Sequence, residues 1–151
     1  HFEEVKIVDL MRDIRNAGIN IIANYIFGLP PDTHETMKET LNFAMSNLTE
    51  AFNLYPAQAL PGSPLYLQAK KEGWNLPDRY AGYSMLSYWT QNTSNANLKA
   101  TEILRARDEA WFKYHSNEDY LRMIETKFGA NARKNIEESL KITLKRKILG
   151  D

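Results

Sequence analysis

The sequence predicts an α/β fold with parallel strands, and three observations lead to this prediction. Amphipathic stretches with a period near 3.6 residues alternate with short apolar runs that are rich in β-branched residues. The apolar runs at residues 19–27 and 51–57 are separated by a whole helical stretch, which is the length of connection that parallel pairing requires. The first run is almost continuously apolar, as is typical of a parallel strand covered on both faces.

The first two predicted helices flank the first strand. Residues 2–17 place apolar side chains along one face, and Gly18 follows at the position where a left-handed residue commonly ends a helix. After the strand, we expect Asp32 to cap the next helix and Glu35, three residues later, to complete a capping box.

The third predicted helix completes a helix-strand-helix-strand-helix segment. Ser63 is the expected N-cap and Pro64 the first helical residue, where its missing amide costs nothing. The helix runs to about residue 71, and Gly73 ends it. Two parallel strands are too few to cover themselves, so we expect neighbouring strands from a longer parent chain or from a second copy.

The second half of the chain is predicted to be irregular first and then helical. Residues 74–95 are aromatic and polar, and we expect an irregular connector that packs on the strands. Three helices follow, at residues 98–114, 117–128 and 130–149. The run at residues 145–147 is interpreted as a solvated helix end, and Asp108 and Glu109 as solvated charges. The predicted divisions are 1–75, 76–96 and 97–151.

Composition excludes several classes of function. Nineteen basic and nineteen acidic residues cancel, so no overall field favours nucleic acid or an anionic membrane, and we expect neither as a partner. The chain has no cysteine, which excludes disulfides and thiolate metal sites and leads us to expect a cytoplasmic protein. The three histidines are scattered without metal-ligand spacing.

The strongest candidate ligand site is the stretch at residues 24–33, where a strand runs into a glycine turn and a capped helix. Ligands of α/β proteins bind at that end of a strand. Alternation places Asn24, Ile26 and Gly28 on one face, where Ile26 could contact a flat apolar ring and Gly28 could let the ring approach the backbone. The alternative is that glycine and prolines only make a turn. His34 is the one imidazole near this end.

Two motifs give the chain a family resemblance. Residues 28–33 read Gly-Leu-Pro-Pro-Asp-Thr, and residues 61–66 read Pro-Gly-Ser-Pro-Leu-Tyr. The first resembles the Gly-Leu-Pro-Gly-Glu-Thr form of the fifth-strand motif of radical S-adenosylmethionine enzymes. The second is similar to the turn after their sixth strand. Asn24 stands where the family usually has glycine, and Pro31 replaces a second glycine.

The resemblance implies a fold and an adenine site. It implies a partial TIM-like barrel followed by an α-helical C-terminal extension. It implies that the adenine of S-adenosylmethionine is contacted by six residues, which are Asn24, Ile26, Gly28, Pro30, Ala57 and Gln58. At Ala57 and Gln58 the contact would come from backbone groups, with a carbonyl accepting from the exocyclic amine and an amide donating to a ring nitrogen.

The resemblance also implies cofactors that this chain does not hold by itself. Family members bind a four-iron four-sulfur cluster through three cysteines, and those ligands would lie upstream. Residues 73–78, 81–84 and 105–111 are similar to the C-terminal extension of members that have an upstream cobalamin-binding domain. We therefore expect a segment of a longer enzyme, inactive alone, whose partners are the upstream domains of the same parent chain.

Two other classes of function stay open at this point. The chain could be a non-catalytic binding or assembly module that pairs through exposed parallel strands. It could also be a small nucleotide-binding α/β domain, although it has neither a Gly-x-Gly-x-x-Gly motif nor a phosphate-binding loop.

Overall fold

The chain is a mixed α/β protein. A computed structural model describes residues 6–151, which form six α-helices and a sheet of two strands. The strands are β1 (Ile22–Phe27) and β2 (Ala51–Pro56); the helices are α1 (Ile7–Asn16), α2 (His34–Ser46), α3 (Pro64–Lys71), α4 (Ala100–His115), α5 (Glu118–Phe128) and α6 (Ala130–Leu140). The predicted start of the first helix at residue 2 lies outside the described residues.

The sheet confirms the predicted parallel pairing. β1 and β2 run side by side in register from Ile22 opposite Ala51 to Phe27 opposite Pro56. β1 begins three residues later than the predicted strand, because the amide of Ile19 still donates to the carbonyl of Ile14 and so belongs to the end of α1. Gly18 has a φ of 76°, as its predicted helix-ending position requires.

One face of the sheet carries the core. Helix α4 packs against β2, and the ring of Tyr114 stacks on that of Phe52 with centroids 4.0 Å apart. The hydroxyl of Tyr114 accepts from the amide of Thr49 at 2.8 Å, which satisfies a polar group inside this core. The fully buried apolar side chains of this core include Phe27, Leu54, Ile103 and Tyr114.

The other face of the sheet is bare in the described part of the chain. Ile22 is 64% exposed, Ile26 46% and Tyr55 37%. The predicted alternation along β1 is confirmed, because Asn24 and Ile26 share this face while Phe27 is buried on the other. The sequence predicts that β1 is covered on both faces, but nothing within residues 6–151 covers this face.

The start of α2 corrects one predicted cap. Thr33, not Asp32, is the N-cap, and its hydroxyl accepts from the amide of Thr36 at 3.3 Å. Thr36 returns the bond by accepting from the amide of Thr33 at 2.9 Å, so Glu35 has no part in the capping box. The cap of α3 is as predicted, with Ser63 accepting from Tyr66 at 3.1 Å.

The C-terminal segment, residues 141–151, differs from the prediction of a helix that continues to residue 149. Helix α6 ends at Leu140, and only a short 3₁₀ turn at Lys147–Leu149 follows it. The sequence predicts Arg146 on a solvated helix end, but Arg146 is fully buried and donates to both carboxylate oxygens of Asp108 at 3.0 Å. Asp108 is therefore an ion-pair partner rather than a solvated charge.

The connector is irregular, as predicted. Between α3 and α4 the chain forms one 3₁₀ turn, at Tyr80–Tyr83. The amide of Thr93 donates to the carbonyl of Ala57 just past β2, so the connector does pack on the strand layer. Whether the three predicted divisions of the chain are independent domains stays a prediction. Among residues 6–151, no helix combines the length and the apolar composition that a membrane-spanning helix needs.

Candidate ligand site at the carboxyl end of the sheet

One carboxylate holds the turn that follows β1. The backbone amides of Gly28 and Leu29 both donate to Oδ2 of Asp32, at 2.8 and 3.1 Å. Oδ1 of the same carboxylate accepts from the hydroxyl of Thr36 at 3.0 Å. Hydrogen bonds to an ionised acceptor are among the stronger ones, so Asp32 fixes the strand end against the first turn of α2. Sequence reasoning assigned Asp32 to capping and missed this role.

Gly28 stands where both backbone and packing require glycine. Its φ is 85°, in the left-handed region that side chains with a Cβ rarely adopt. A Cβ at this position would lie 2.7 Å from Cδ1 and Cγ2 of Ile103 in α4. Close packing of α4 on the turn therefore explains the glycine, while its approach to a ligand ring stays a prediction.

Asn24 and Ile26 lie on the bare face of the sheet. Oδ1 of Asn24 accepts from Nδ2 of Asn53 on the neighbouring strand at 3.0 Å. Ile26 lies opposite Tyr55, one residue before the end of β1, and both side chains are partly exposed. The two strands thus present an uncovered apolar surface next to their carboxyl ends.

Ala57 and Gln58 differ in what their backbone can still bind. The amide of Ala57 donates to the carbonyl of Phe27 at 2.7 Å, and its carbonyl accepts from both the amide and the hydroxyl of Thr93 at 3.0 Å. The backbone amide of Gln58 meets no acceptor in residues 6–151, while its side chain donates to the carbonyl of Gly82 at 3.3 Å. Of the two residues, Gln58 keeps a free backbone donor.

A groove of about 390 Å³ lies beside the turn after β1. Its walls come from that turn, from α3 and from the end of the connector, and its lining includes Gly28, Pro30, Leu65, Gln68, Glu72, Trp74, Thr93 and Asn95. Among the predicted site residues, the groove contains Gly28 and Pro30, whereas Asn24 and Ile26 lie on the bare sheet face. These four of the six predicted residues therefore lie on two surfaces rather than in one pocket.

Trp74 and Glu72 are site residues that the sequence did not reveal. The indole nitrogen of Trp74 donates to Oε2 of Glu72 at 2.9 Å, and the side-chain Nε2 of Gln68 donates to Oε1 at 3.0 Å. Glu72 is the one charged side chain in the groove lining. The sequence shows only that Trp74 follows Gly73, just after α3. That position does not tell whether the tryptophan side chain lines a groove or packs in a core.

His34 lies outside the groove. Its side chain is 66% exposed, and Nε2 lies 3.3 Å from Oε1 of Glu102 in α4. The amide of Lys99 donates to the same carboxylate, and this hydrogen bond, with the contribution of His34, lowers the pKa of Glu102. His34 thus links α2 to α4 at the surface.

The described residues contain no cluster of three or more metal-ligating side chains. Fold and site together define a mixed α/β protein. Its two parallel strands have an apolar surface near their carboxyl ends that residues 6–151 leave uncovered. Comparisons of the chain with protein-family models, with curated proteins and with solved structures find no match.

Proposed function

We propose that this chain is part of a cytoplasmic radical S-adenosylmethionine enzyme and supplies the adenine side of its cofactor site. The observation that carries the proposal is the pairing of the two motif strands. Ile26 and Tyr55 lie in register on an uncovered face, one residue before the strand ends, where the turn at Gly28 and the free amide of Gln58 follow. A partial TIM-like barrel would enclose that face.

The described residues fit an adenine ring in two respects. Ile26 offers an apolar surface, of which almost half is exposed, to the flat face of a ring. The backbone amide of Gln58 can donate to a ring nitrogen, which gives orientation without an unusual side chain. The carbonyl of Ala57 is occupied by Thr93, so the proposal assigns the polar contact to Gln58.

The iron–sulfur cluster does not fit this chain. A four-iron four-sulfur cluster needs thiolate ligands, and the sequence contains no cysteine. The proposal places the cluster, and cobalamin if the enzyme uses it, on upstream domains of the same parent chain. In the family the reduced cluster cleaves S-adenosylmethionine, so the chain alone should catalyse no cleavage.

The full-length protein tests this proposal directly. Reconstituted with iron and sulfide and reduced without oxygen, it should convert S-adenosylmethionine into 5′-deoxyadenosine. A fully reduced preparation that carries a four-iron four-sulfur cluster and still yields no 5′-deoxyadenosine would contradict the proposal.

A pair of substitutions on the bare face tests the adenine contact. Ile26→Asn should weaken binding of S-adenosylmethionine about tenfold or more, because burying an isoleucine side chain contributes about 1.5–3 kcal/mol. Ile22→Asn is the matched control, since Ile22 is exposed on the same face at the other end of β1. Equal effects of the two substitutions on binding would remove Ile26 from the site.

A second candidate function is an assembly module that pairs through its exposed strands. The bare sheet face favours it, since two parallel strands do not normally stand alone. Light scattering on the isolated 17.5 kDa chain separates the candidates. A stable dimer at micromolar concentration would favour assembly, and a strictly monomeric species would count against it.

A further inference from the structure

A second groove, of about 630 Å³, lies between α4, the end of α6 and the connector. Its volume falls within the range of about 300–1,000 Å³ that is usual for small-molecule sites. It shares no lining residue with the groove beside the turn after β1, and none of the six predicted adenine contacts lines it. It therefore forms a separate candidate site.

The wall of this groove is mainly apolar and open to solvent. Leu86 of the connector is 56% exposed, Phe112 of α4 52% and Ile142 of the C-terminal segment 67%. Leu140 and Leu144, both partly buried, continue the apolar lining. Apolar side chains from distant parts of the sequence thus converge on one concave surface, and exposed apolar patches of this kind ordinarily mark interaction sites.

Arg107 brings a charged donor to this wall. It is only 3% exposed; its Nε donates to the carbonyl of Leu54 at 2.8 Å, and its Nη1 donates to Oδ1 of Asp108 at 2.7 Å. Within residues 6–151, the one hydrogen-bond contact of Nη2 is with Sδ of Met85 at 4.0 Å. A thioether is a weak acceptor. Since Met85 and Arg107 both line the groove, this poorly partnered nitrogen lies at the groove wall.

The charges of the buried groups do not balance within the described chain. Asp108 is shared with Arg146, which is fully buried and donates to both carboxylate oxygens. Each nitrogen of the Arg146 guanidinium group has an oxygen acceptor, whereas Nη2 of Arg107 has none among residues 6–151. Asp151 accepts from the backbone amide of Arg146, and Glu109 lines the groove, but both acids are exposed and screened by water. Two buried guanidinium groups therefore share one carboxylate, and an unmatched buried charge is costly.

We propose that this groove binds a small organic acid whose carboxylate accepts from Nη2 of Arg107 and whose apolar body packs against Phe112 and Leu144. The carboxylate supplies the oxygen acceptor that Nη2 lacks and balances the second guanidinium group. The apolar body removes the exposed wall of the groove from water.

Charge complementarity favours this occupant over a purely apolar one. An apolar surface could cover Leu86 and Phe112, but it would bury Nη2 of Arg107 without an acceptor. A concave site of this size with one buried cation suits a small ligand with a single acid group. A second copy of the chain and another segment of the same protein are the competing occupants, and binding experiments distinguish them from a small acid.

Calorimetric titration of the full-length protein with octanoate tests the proposal, and octanol is the matched control without the charge. Octanoate should bind at least about tenfold more tightly than octanol, because only the carboxylate forms a charge-assisted hydrogen bond with Arg107. Equal affinities, or no saturable binding of octanoate, would overturn the proposal.

Arg107→Gln tests the contact with the acid group. Nε2 of glutamine takes the place of Nε and can still donate to Leu54, and Asp108 keeps Arg146 as a partner. The variant should bind octanol as the wild type does and lose the preference for octanoate. An unchanged preference would show that the carboxylate binds elsewhere and would overturn the proposal.

Phe112→Ala tests the apolar wall and leaves the guanidinium group in place, so it is decisive even if Arg107→Gln does not fold. It should weaken binding of both compounds at least about threefold and keep the preference for octanoate. Leu67→Ala, at an exposed apolar residue of α3 outside the groove, is the control and should change neither affinity. Unchanged affinities in Phe112→Ala would also overturn the proposal.

Two further results would reveal a different occupant. Octanoate that binds the 151-residue chain but not the full-length protein would mean that another segment of the protein fills the groove. A dimer in light scattering that Phe112→Ala dissociates would mean that a second copy fills it. Either result overturns the proposal. None of these experiments uses S-adenosylmethionine, so they can succeed or fail independently of the adenine proposal.

Discussion

Gly28 is the described glycine that combines a left-handed φ with close packing, so substitution by a residue with a Cβ is disfavoured there twice over. Gly28→Ala should lower the free energy of unfolding by about 2–4 kcal/mol, because the new Cβ adds a left-handed strain to a clash with Ile103. Gly62→Ala is the matched control: its φ is 90°, but no atom lies within 4 Å of the added Cβ. Its cost should be only about 1–2 kcal/mol.

Urea denaturation of the two variants measures the difference. Gly28→Ala should cost less in an Ile103→Ala background than in the wild type, because the clash is then relieved and the left-handed strain remains. If Gly28→Ala and Gly62→Ala cost the same, close packing of α4 against the turn is not what requires the glycine.

His115 should make the stability of the fold depend on pH. Burial among the rings of Phe52, Trp111, Tyr114 and Tyr120 lowers its pKa from the ordinary value of 6.5. The pKa of His115 is therefore lower in the folded chain than in the unfolded chain. Between the lowered folded pKa and 6.5, the unfolded chain binds a proton at His115 that the folded chain does not. The free energy of unfolding should therefore fall as the pH is lowered through this window.

Denaturation at pH 7 and at pH 5 measures this effect. His115→Phe is the control, because it fills the ring site and cannot titrate. The wild type should lose more stability between the two pH values than the variant does. Equal losses would show that the imidazole of His115 is not buried in its neutral form.

At the scale of elements, the turn between β1 and α2 depends on Asp32. Asp32→Ala should lower the free energy of unfolding by about 1–3 kcal/mol, because the amides of Gly28 and Leu29 lose a charged acceptor. Asp32→Asn keeps one acceptor oxygen and should cost less. Thermal unfolding of both variants checks the order, and a larger loss for asparagine than for alanine would contradict this account of the turn.

Arg146 joins residues 141–151 to α4 and to the connector. Arg146→Met should cost about 2–4 kcal/mol, because the carbonyls of Met85 and Ser87 lose their donor while Asp108 keeps Arg107 as a partner. Lys145→Met, one residue earlier and exposed, should change stability by less than about 0.5 kcal/mol. Similar losses in denaturant midpoint for the two variants would contradict the role of Arg146.

Local signals predicted most of the helices and strands. The alternation along β1 and the Ser63–Pro64 start of α3 depend on neighbours in sequence, and the structure has both. Choosing between Asp32 and Thr33 as the cap of α2 requires knowing that the Asp32 carboxylate is needed by the preceding turn. The contacts lie close together in the sequence, within residues 28–36, but they form only in the turn conformation in which Gly28 has a φ of 85°.

The prediction that α6 continues to residue 149 was wrong because it, too, rested on a local pattern. The spacing of Ile136, Leu140, Leu144 and Ile148 continues a helical period, but the chain leaves the helix after Leu140. Beyond that point Arg146 reaches Asp108, which lies 38 positions earlier in the chain. A buried arginine with satisfied hydrogen bonds is set by tertiary contacts, and sequence periodicity contains no information about them.

For the molecule as a whole, the carboxyl-end surface was only partly predictable. The motif strands led to Ile26 and Gly28, but nothing in the sequence indicated that Thr93 would occupy the carbonyl of Ala57. The connector contributes Thr93 and Trp74 to the site region, and its irregular backbone has no periodic pattern from which its position could be predicted.

The most direct test of the adenine-side proposal is a contact between Ile26 and the cofactor. In the full-length protein with ¹³C-labelled isoleucine methyl groups and bound S-adenosylmethionine, nuclear Overhauser effects should connect an adenine ring proton to the Ile26 methyl. The methyl of Ile22, exposed on the same face at the far end of β1, should show none. Bound cofactor whose adenine protons show no contact with an Ile26 methyl would contradict the account.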